Sequence, residues 1–174
     1  VVILVDGTSI RAHESGIDLM TSFVSLLSSL DADQDIMLFS VEEPYSSVAQ
    51  FKGRDANVKQ ILNKINNKFV NVPDNRVGGI AEALTTTLST LSKGFAASGS
   101  DVYLLVGKQS DKELDRLSRQ LIPLAARYGK NGWAINGVSL SGSQEHVVNF
   151  LRSMADYSNG QLFDISTIVG LAQV

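Results

Sequence analysis

The chain contains no cysteine, which excludes disulfide frameworks, thiolate metal sites and cysteine nucleophiles together, while leaving the compartment open. None of its apolar stretches approaches the roughly 18 residues a membrane span needs, and no basic-apolar-small leader opens it. Asn-x-Ser/Thr glycosylation acceptors are missing too. Lys and Arg number 15 against 18 Asp and Glu, a formal net charge of -3, and no basic cluster stands out locally. Such a chain has no positive field to draw in nucleic acid and no segment for direct membrane insertion. Internal repeats, linkers and low-complexity stretches are absent as well. At 174 residues the expectation is a single domain over 1–174. Because the first residues already read as a strand, that domain is expected to be cut from a longer protein, and the compartment to lean towards a bacterial cell surface or envelope.

What is present is an alternation of apolar runs and helical periodicities. The runs predict strands over 1–5, 36–41, 101–107, 133–140 and 161–166. A further run over 45–51 follows its predecessor too closely for a parallel crossover, so it should pair antiparallel at an edge. Helical spacing predicts helices over 16–30, 56–69, 80–95, 112–129 and 144–160, with a short docking helix in the tail 167–174. Asn159-Gly160 should end the fifth of these, and Pro123 should kink or break the fourth near 119–122. The predicted fold is α/β and doubly wound: a mostly parallel six-stranded sheet, one antiparallel edge strand, and helices on both faces.

Chemistry is sought first where VVILVDGTSI leaves the opening strand, since open α/β sheets bind ligands beyond the carboxyl ends of their strands. Asp6, Thr8 and Ser9 are also ordinary capping and turn residues, accepting backbone amide hydrogen bonds. Gly78 and Gly79 suit a turn; no lysine follows as in a P-loop, and no third glycine completes a dinucleotide fingerprint. His13 and His146 sit on different elements without an acidic partner at ligand spacing, and both are expected on exposed helix positions. Trp133 is expected to pack in the core or at the sheet edge. The run DKELDR offers only like-charge i,i+4 pairs and hence little stabilising pattern. A dehalogenase-type phosphatase would need a nucleophilic aspartate where Leu4 stands. GVSLSG over 137–142 lacks the closing glycine of a nucleophile elbow at Ser139.

Several phrases in order resemble a von Willebrand factor A domain: VVILVDGTSI its opening strand with D-x-S-x-S, VGGIAEAL its T-N-I-G-x-A-L phrase, DVYLLVGKQSD its strand ending L-T-D-G, and SNGQLFDIS its closing strand. The resemblance implies a Rossmann-like fold and, in metal-binding members, an adhesion site for Mg²⁺ at the carboxyl ends of the strands. Carried over by position, Asp6 matches the first aspartate and Thr8 an acceptable hydroxyl. Ile10 stands where a serine is expected, Gly78 where a threonine is, and Val106 where the second aspartate is. With one carboxylate left, no functional metal site is expected, and Asp6 and Thr8 are the residual candidates for Mg²⁺ or Ca²⁺. The implied function is a non-catalytic protein-protein interaction or assembly module with a degenerate metal site. Alternatives are a Mg²⁺- or Ca²⁺-dependent adhesion domain and a small α/β hydrolase or phosphatase. The binding-face candidates are Asp6, Gly7, Thr8, Ser9, Asn75, Gly78, Gly79, Gly107 and Asp111.

Overall fold

The apolar runs do become strands, and their order places the candidate site. The computed structural model describes residues 1–5, 31–33, 35–40, 47–52, 60, 85, 101–107, 109–139 and 143–164. Within them lie β1 (Val2–Val5), β2 (Asp35–Ser40), β3 (Ser47–Lys52), β4 (Asp101–Val106), α1 (Asp111–Gly129), β5 (Ala134–Ser139), α2 (Glu145–Ser158) and β6 (Leu162–Asp164). They form one six-stranded sheet in the order β3-β2-β1-β4-β5-β6. Every pairing is parallel except β2 with β3, which is antiparallel and carries a register shift at Leu38/Phe39. The doubly wound sheet with one antiparallel edge strand is as the sequence predicts, with element ends displaced by a residue or two. Gln60 and Thr85 have helical backbone, as expected for 56–69 and 80–95; the remainder of those helices, the helix over 16–30 and the tail lie outside the described residues.

Alternation along each strand sorts the core into two faces. Val2, Leu4, Val102, Leu104, Val106 and Ile135 form one cluster with Leu114, Leu117, Leu121, Ala125 and Tyr128 of α1 and with Val147, Phe150, Leu151 and Met154 of α2. On the opposite face Ile3, Ile36, Leu105 and Val138 have no exposed surface at all. Full burial of such a side chain contributes about 1.5–3 kcal/mol. A slip of one residue would exchange the two sets of side chains between faces, so the register is strongly fixed. Trp133 lies in the first cluster, its ring edge-on to Tyr128 with centroids 6.1 Å apart, as the core reading expects.

Helix α1 corrects two expectations. It runs unbroken through Pro123, so of the kink or break expected there the break does not occur. Pro123 and Arg119 are both exposed, and the Arg119 carbonyl that loses its bond to a proline nitrogen stays within reach of water. The run DKELDR is also better paired than its i,i+4 spacings suggest. Arg116 grips Glu113 at i,i+3, Nη2 donating to Oε1 at 2.6 Å and Nε to Oε2 at 3.1 Å. Ser110 caps the helix by accepting from the Glu113 amide at 3.3 Å.

At the far end of α2 a hydroxyl takes over from a missing strand. β6 pairs with β5 only from Gly137 onward. Two residues earlier along β5, Ser158 Oγ accepts from the Ile135 amide at 2.9 Å, and its own proton lies nearest the Met154 carbonyl at 2.8 Å. Asn136 Oδ1 accepts from the Gln161 amide at 2.9 Å, completing the hand-over to β6. Asn159 stops the helix in the left-handed conformation with φ 59 and ψ 25, as its pairing with Gly160 predicts. Gly160 must be glycine for a different reason: a Cβ there would collide with the Ile135 carbonyl. Gly137 likewise lets α2 approach the sheet, because its Cβ would fall 2.8 Å from Leu151 Cβ.

Two measurements test this packing. Ser158→Ala leaves the buried Ile135 amide without its acceptor and should cost about 1–3 kcal/mol in urea unfolding, with the slope unchanged. The second concerns Tyr103, whose ring lies 5.8 Å from that of Phe163 and whose hydroxyl is held above its ordinary pKa of 10.0 by burial and then by the Asp101 carboxylate. A raised folded value means the unfolded chain gives up the phenolic proton first. The contribution is therefore fully present below pH 10.0 and lost as pH rises through the folded value. Alkaline thermal melts should fall off less steeply in Tyr103→Phe.

Candidate functional site at the carboxyl rim

Strand order reverses between β1 and β4, which run parallel side by side with Val5 opposite Leu105. At such a switch point the loops leaving two neighbouring strands diverge and open a crevice. Asp6 follows β1 directly in the sequence; it, Gly7, Thr8, Ser9, Asn75, Gly78 and Gly79 lie outside the described residues. Gly107 and Asp111 are described, and they belong to the same connection, which leaves β4 and enters α1.

β4 delivers no carboxylate to the crevice. Its last residue, Val106, has no exposed surface, and Gly107 after it is buried. The first carboxylate beyond is Asp111, at the N-terminal turn of α1, where the positive end of the helix dipole suits it. Its side chain is 88% exposed and faces the ring of His146 on α2, with Oδ1 at 3.5 Å from Nδ1. The other ring nitrogen, Nε2, lies 3.3 Å from the Gln109 carbonyl oxygen. His146 therefore ties the start of α2 to the loop after β4.

This contact corrects the expectation of an unpartnered, exposed histidine. The pair is 35 positions apart in sequence, and only the β4-α1-β5-α2 hand-over brings it together. Both ring nitrogens face oxygen acceptors. A neutral ring protonated on Nε2 serves Gln109 and turns a lone pair towards Asp111, whereas the doubly protonated ring serves both. Beside it, Gln144 caps α2 with its main-chain carbonyl, while its side-chain Oε1 is buried without a hydrogen-bond partner among the described residues.

The described residues hold no catalytic set. Ser139 is 3% exposed and donates its hydroxyl to the Phe163 carbonyl at 3.3 Å, so it is a structural hydroxyl in β5 and not a presented nucleophile. Leu4, at the position a dehalogenase-type nucleophile would occupy, is wholly buried. No three His, Asp or Glu residues converge as metal ligands among the described residues. A groove of about 710 Å³ runs along α1 from Ser110, lined by Lys112, Asp115, Arg116, Arg119 and Gln120. The described lining residues are charged or polar at their tips, with aliphatic stems between them.

No protein-family profile and no curated protein matches the sequence. Solved structures match in fold. The SpRpn10 VWA domain superposes with a TM-score of 0.56 at 15% identity, covering 98% of this chain and 93% of that one. The N-terminal domain of TFIIH p34 gives 0.57 at 17%, covering 99% and 93%. The conserved hypothetical protein BatB from Bacteroides thetaiotaomicron gives 0.56 at 7%, again covering 99% and 93%. The chain has the von Willebrand factor A fold, as its opening, middle and closing phrases suggest.

His146→Ala separates the tether from the fold. A contact this exposed is worth no more than about 1 kcal/mol even when charged, so the global unfolding midpoint should hardly move. Amide exchange at 109–111 should nevertheless quicken, because local opening no longer has to break the ring's contacts. Unchanged exchange there would mean that the ring holds nothing.

Proposed function

We propose that this chain is a non-catalytic protein-interaction module that engages its partner at the carboxyl rim without a divalent cation. The observation that carries this reading is the end of β4, where Val106 is buried and Gly107 follows, so the strand beside β1 brings no side-chain oxygen to the switch point. Mg²⁺ needs near-octahedral oxygens at about 2.0–2.1 Å and sheds water reluctantly, so it is normally held by one or two carboxylates. On the described side of the rim the residues do not fit such an ion. Asp111 lies past the strand end on α1 and faces His146. Of the residues outside the described set, Asp6 and Thr8 supply oxygens in the resemblance, while Ile10 supplies none.

A rim of this kind recognises a partner through hydrogen bonds and shape. Ser110 and Asp111 are exposed, and Gln109, Ser143, Gln144 and His146 are half-buried around them. The mixture of acceptors, donors and one titratable ring suits a polar protein surface, where a few well-placed contacts carry the affinity.

Thermal melts test the metal half of the reading. Exchange of EDTA for millimolar Mg²⁺, Ca²⁺ or Mn²⁺ should leave Tm in place; saturating a native site at 100 times its Kd would add about 2.7 kcal/mol, a shift of several degrees. A clear rise that disappears in Asp6→Ala would overturn it and leave a cation-dependent adhesion domain. For the interaction half, a partner's affinity should drop when Ser110, Asp111 and His146 are replaced by alanine together. Replacing Arg152 and Asp156 on the exposed face of α2 should leave it unchanged.

A further inference from the structure

The sequence holds three Asn-Gly pairs, Asn131-Gly132, Asn136-Gly137 and Asn159-Gly160, and the fold places them in three different chemical situations. An asparagine followed by glycine is prone to cyclise, because no side chain hinders attack by the glycine nitrogen. We propose that Asn131 is a site of spontaneous deamidation in the folded protein, and that the other two pairs are protected by their hydrogen bonds.

The step is an intramolecular acyl transfer. The Gly132 amide gives its proton to hydroxide, and its nitrogen attacks Asn131 Cγ. The new nitrogen-carbon bond closes a five-membered imide as the Cγ–Nδ2 bond breaks, and Nδ2 takes a proton from water and leaves as ammonia, returning the hydroxide. Water then adds to either imide carbonyl, giving aspartate or isoaspartate. The reaction needs a mobile side chain, a backbone able to swing towards it, and access for hydroxide and water.

Asn136 meets none of these conditions. It is 5% exposed inside β5, its Oδ1 is held by the Gln161 amide at 2.9 Å, and the Gly137 nitrogen donates to the Gln161 carbonyl at 2.9 Å. Asn159 is exposed but fixed in the left-handed helix cap, with the Gly160 nitrogen bound to the Ala155 carbonyl at 2.9 Å and Gly160 pressed against Ile135. Asn131 sits in the turn between α1 and β5; both it and Gly132 are exposed, and no hydrogen bond holds its side chain among the described residues. The Gly132 nitrogen makes the longest of the three bonds, 3.1 Å to the Gly129 carbonyl, at the surface.

The product matters because the turn docks Trp133. The amides of Asn131 and Trp133 both donate to the Tyr128 carbonyl, at 2.9 and 3.1 Å. Isoaspartate inserts an extra main-chain methylene between those two anchors, whereas aspartate only adds a charge. The isoaspartyl form should therefore melt at a lower temperature, and Asn131→Asp should melt close to the parent.

The test holds the intact chain in mildly alkaline buffer and follows it by tryptic peptide mapping. One tryptic peptide, 131–152, holds both Asn131 and Asn136, so fragment ions must assign the amide-to-acid mass gain; Asn159 lies in the next. In the native protein Asn131 should convert about tenfold or more faster than Asn136 and ahead of Asn159, as their local opening free energies dictate. Unfolding in guanidinium should bring the three rates together. Asn131→Gln, whose ring closure would be six-membered and slow, should abolish the early conversion. Equal rates at the three sites in the native chain, or an intact Asn131 where the unfolded chain converts, would overturn the proposal.

Discussion

Four residues, Val2–Val5, carry the architecture, because β1 is bonded in parallel register to β2 on one side and β4 on the other. A strand in that position has no free edge, and both faces of Ile3 and Leu4 are sealed. It also decides which loops can meet. β2 lies on one side of β1 and β4 on the other, so the strand order reverses between the carboxyl ends of β1 and β4. Had β1 been an edge strand, no reversal of strand order would fall beside it.

The other half of the molecule is secured differently. β6 is only three residues long, too short to satisfy the length of β5. Buried main-chain groups need partners, and an orphaned one costs about as much as the burial of a small apolar side chain returns. Ser158 and Asn136 supply those partners from side chains. The arrangement couples three elements, since the hydroxyl that extends the ladder of β5 belongs to the last turn of α2, and Asn159 in the next position must turn the chain back under it. Helix stop, strand start and glycine contact thus form one device at the end of the sheet opposite the rim.

Much of this was legible in the sequence. Continuous apolar runs announce parallel strands, the short gap before residue 45 announces the antiparallel edge, and Asn159-Gly160 announces the end of a helix. Val106 at the strand end is equally legible, because an alignment of one phrase suffices to see that an oxygen is missing. Ser110-Asp111-Lys112-Glu113 was a readable cap signal, S-x-x-E, that places the helix start one residue before Lys112. In the folded chain Glu113 is engaged by Arg116, so the same motif also contains the i,i+3 pair that an i,i+4 scan misses. Pro123 does not break α1, because Arg119, whose carbonyl loses its helical partner, lies on an exposed turn. The His146–Asp111 contact was not legible at all, since it depends on two crossovers and on the lean of α2 against α1.

That contact bears on how the described side of the rim is held. Where a cation gathers oxygens at a switch point, one positive centre draws loop carbonyls and carboxylates together and keeps a coordination position for a partner. In this chain an imidazole from α2 stands between a loop carbonyl and a carboxylate, at 3.3 and 3.5 Å. A covalently attached ring needs no free ion and loses little entropy in reaching its partners, but both of its nitrogens are already engaged. On the proposed reading, then, a partner does not complete a coordination sphere. It must compete for Asp111, which is 88% exposed, or read the hydroxyl and amide groups around it, and its affinity will depend on shape more than on charge.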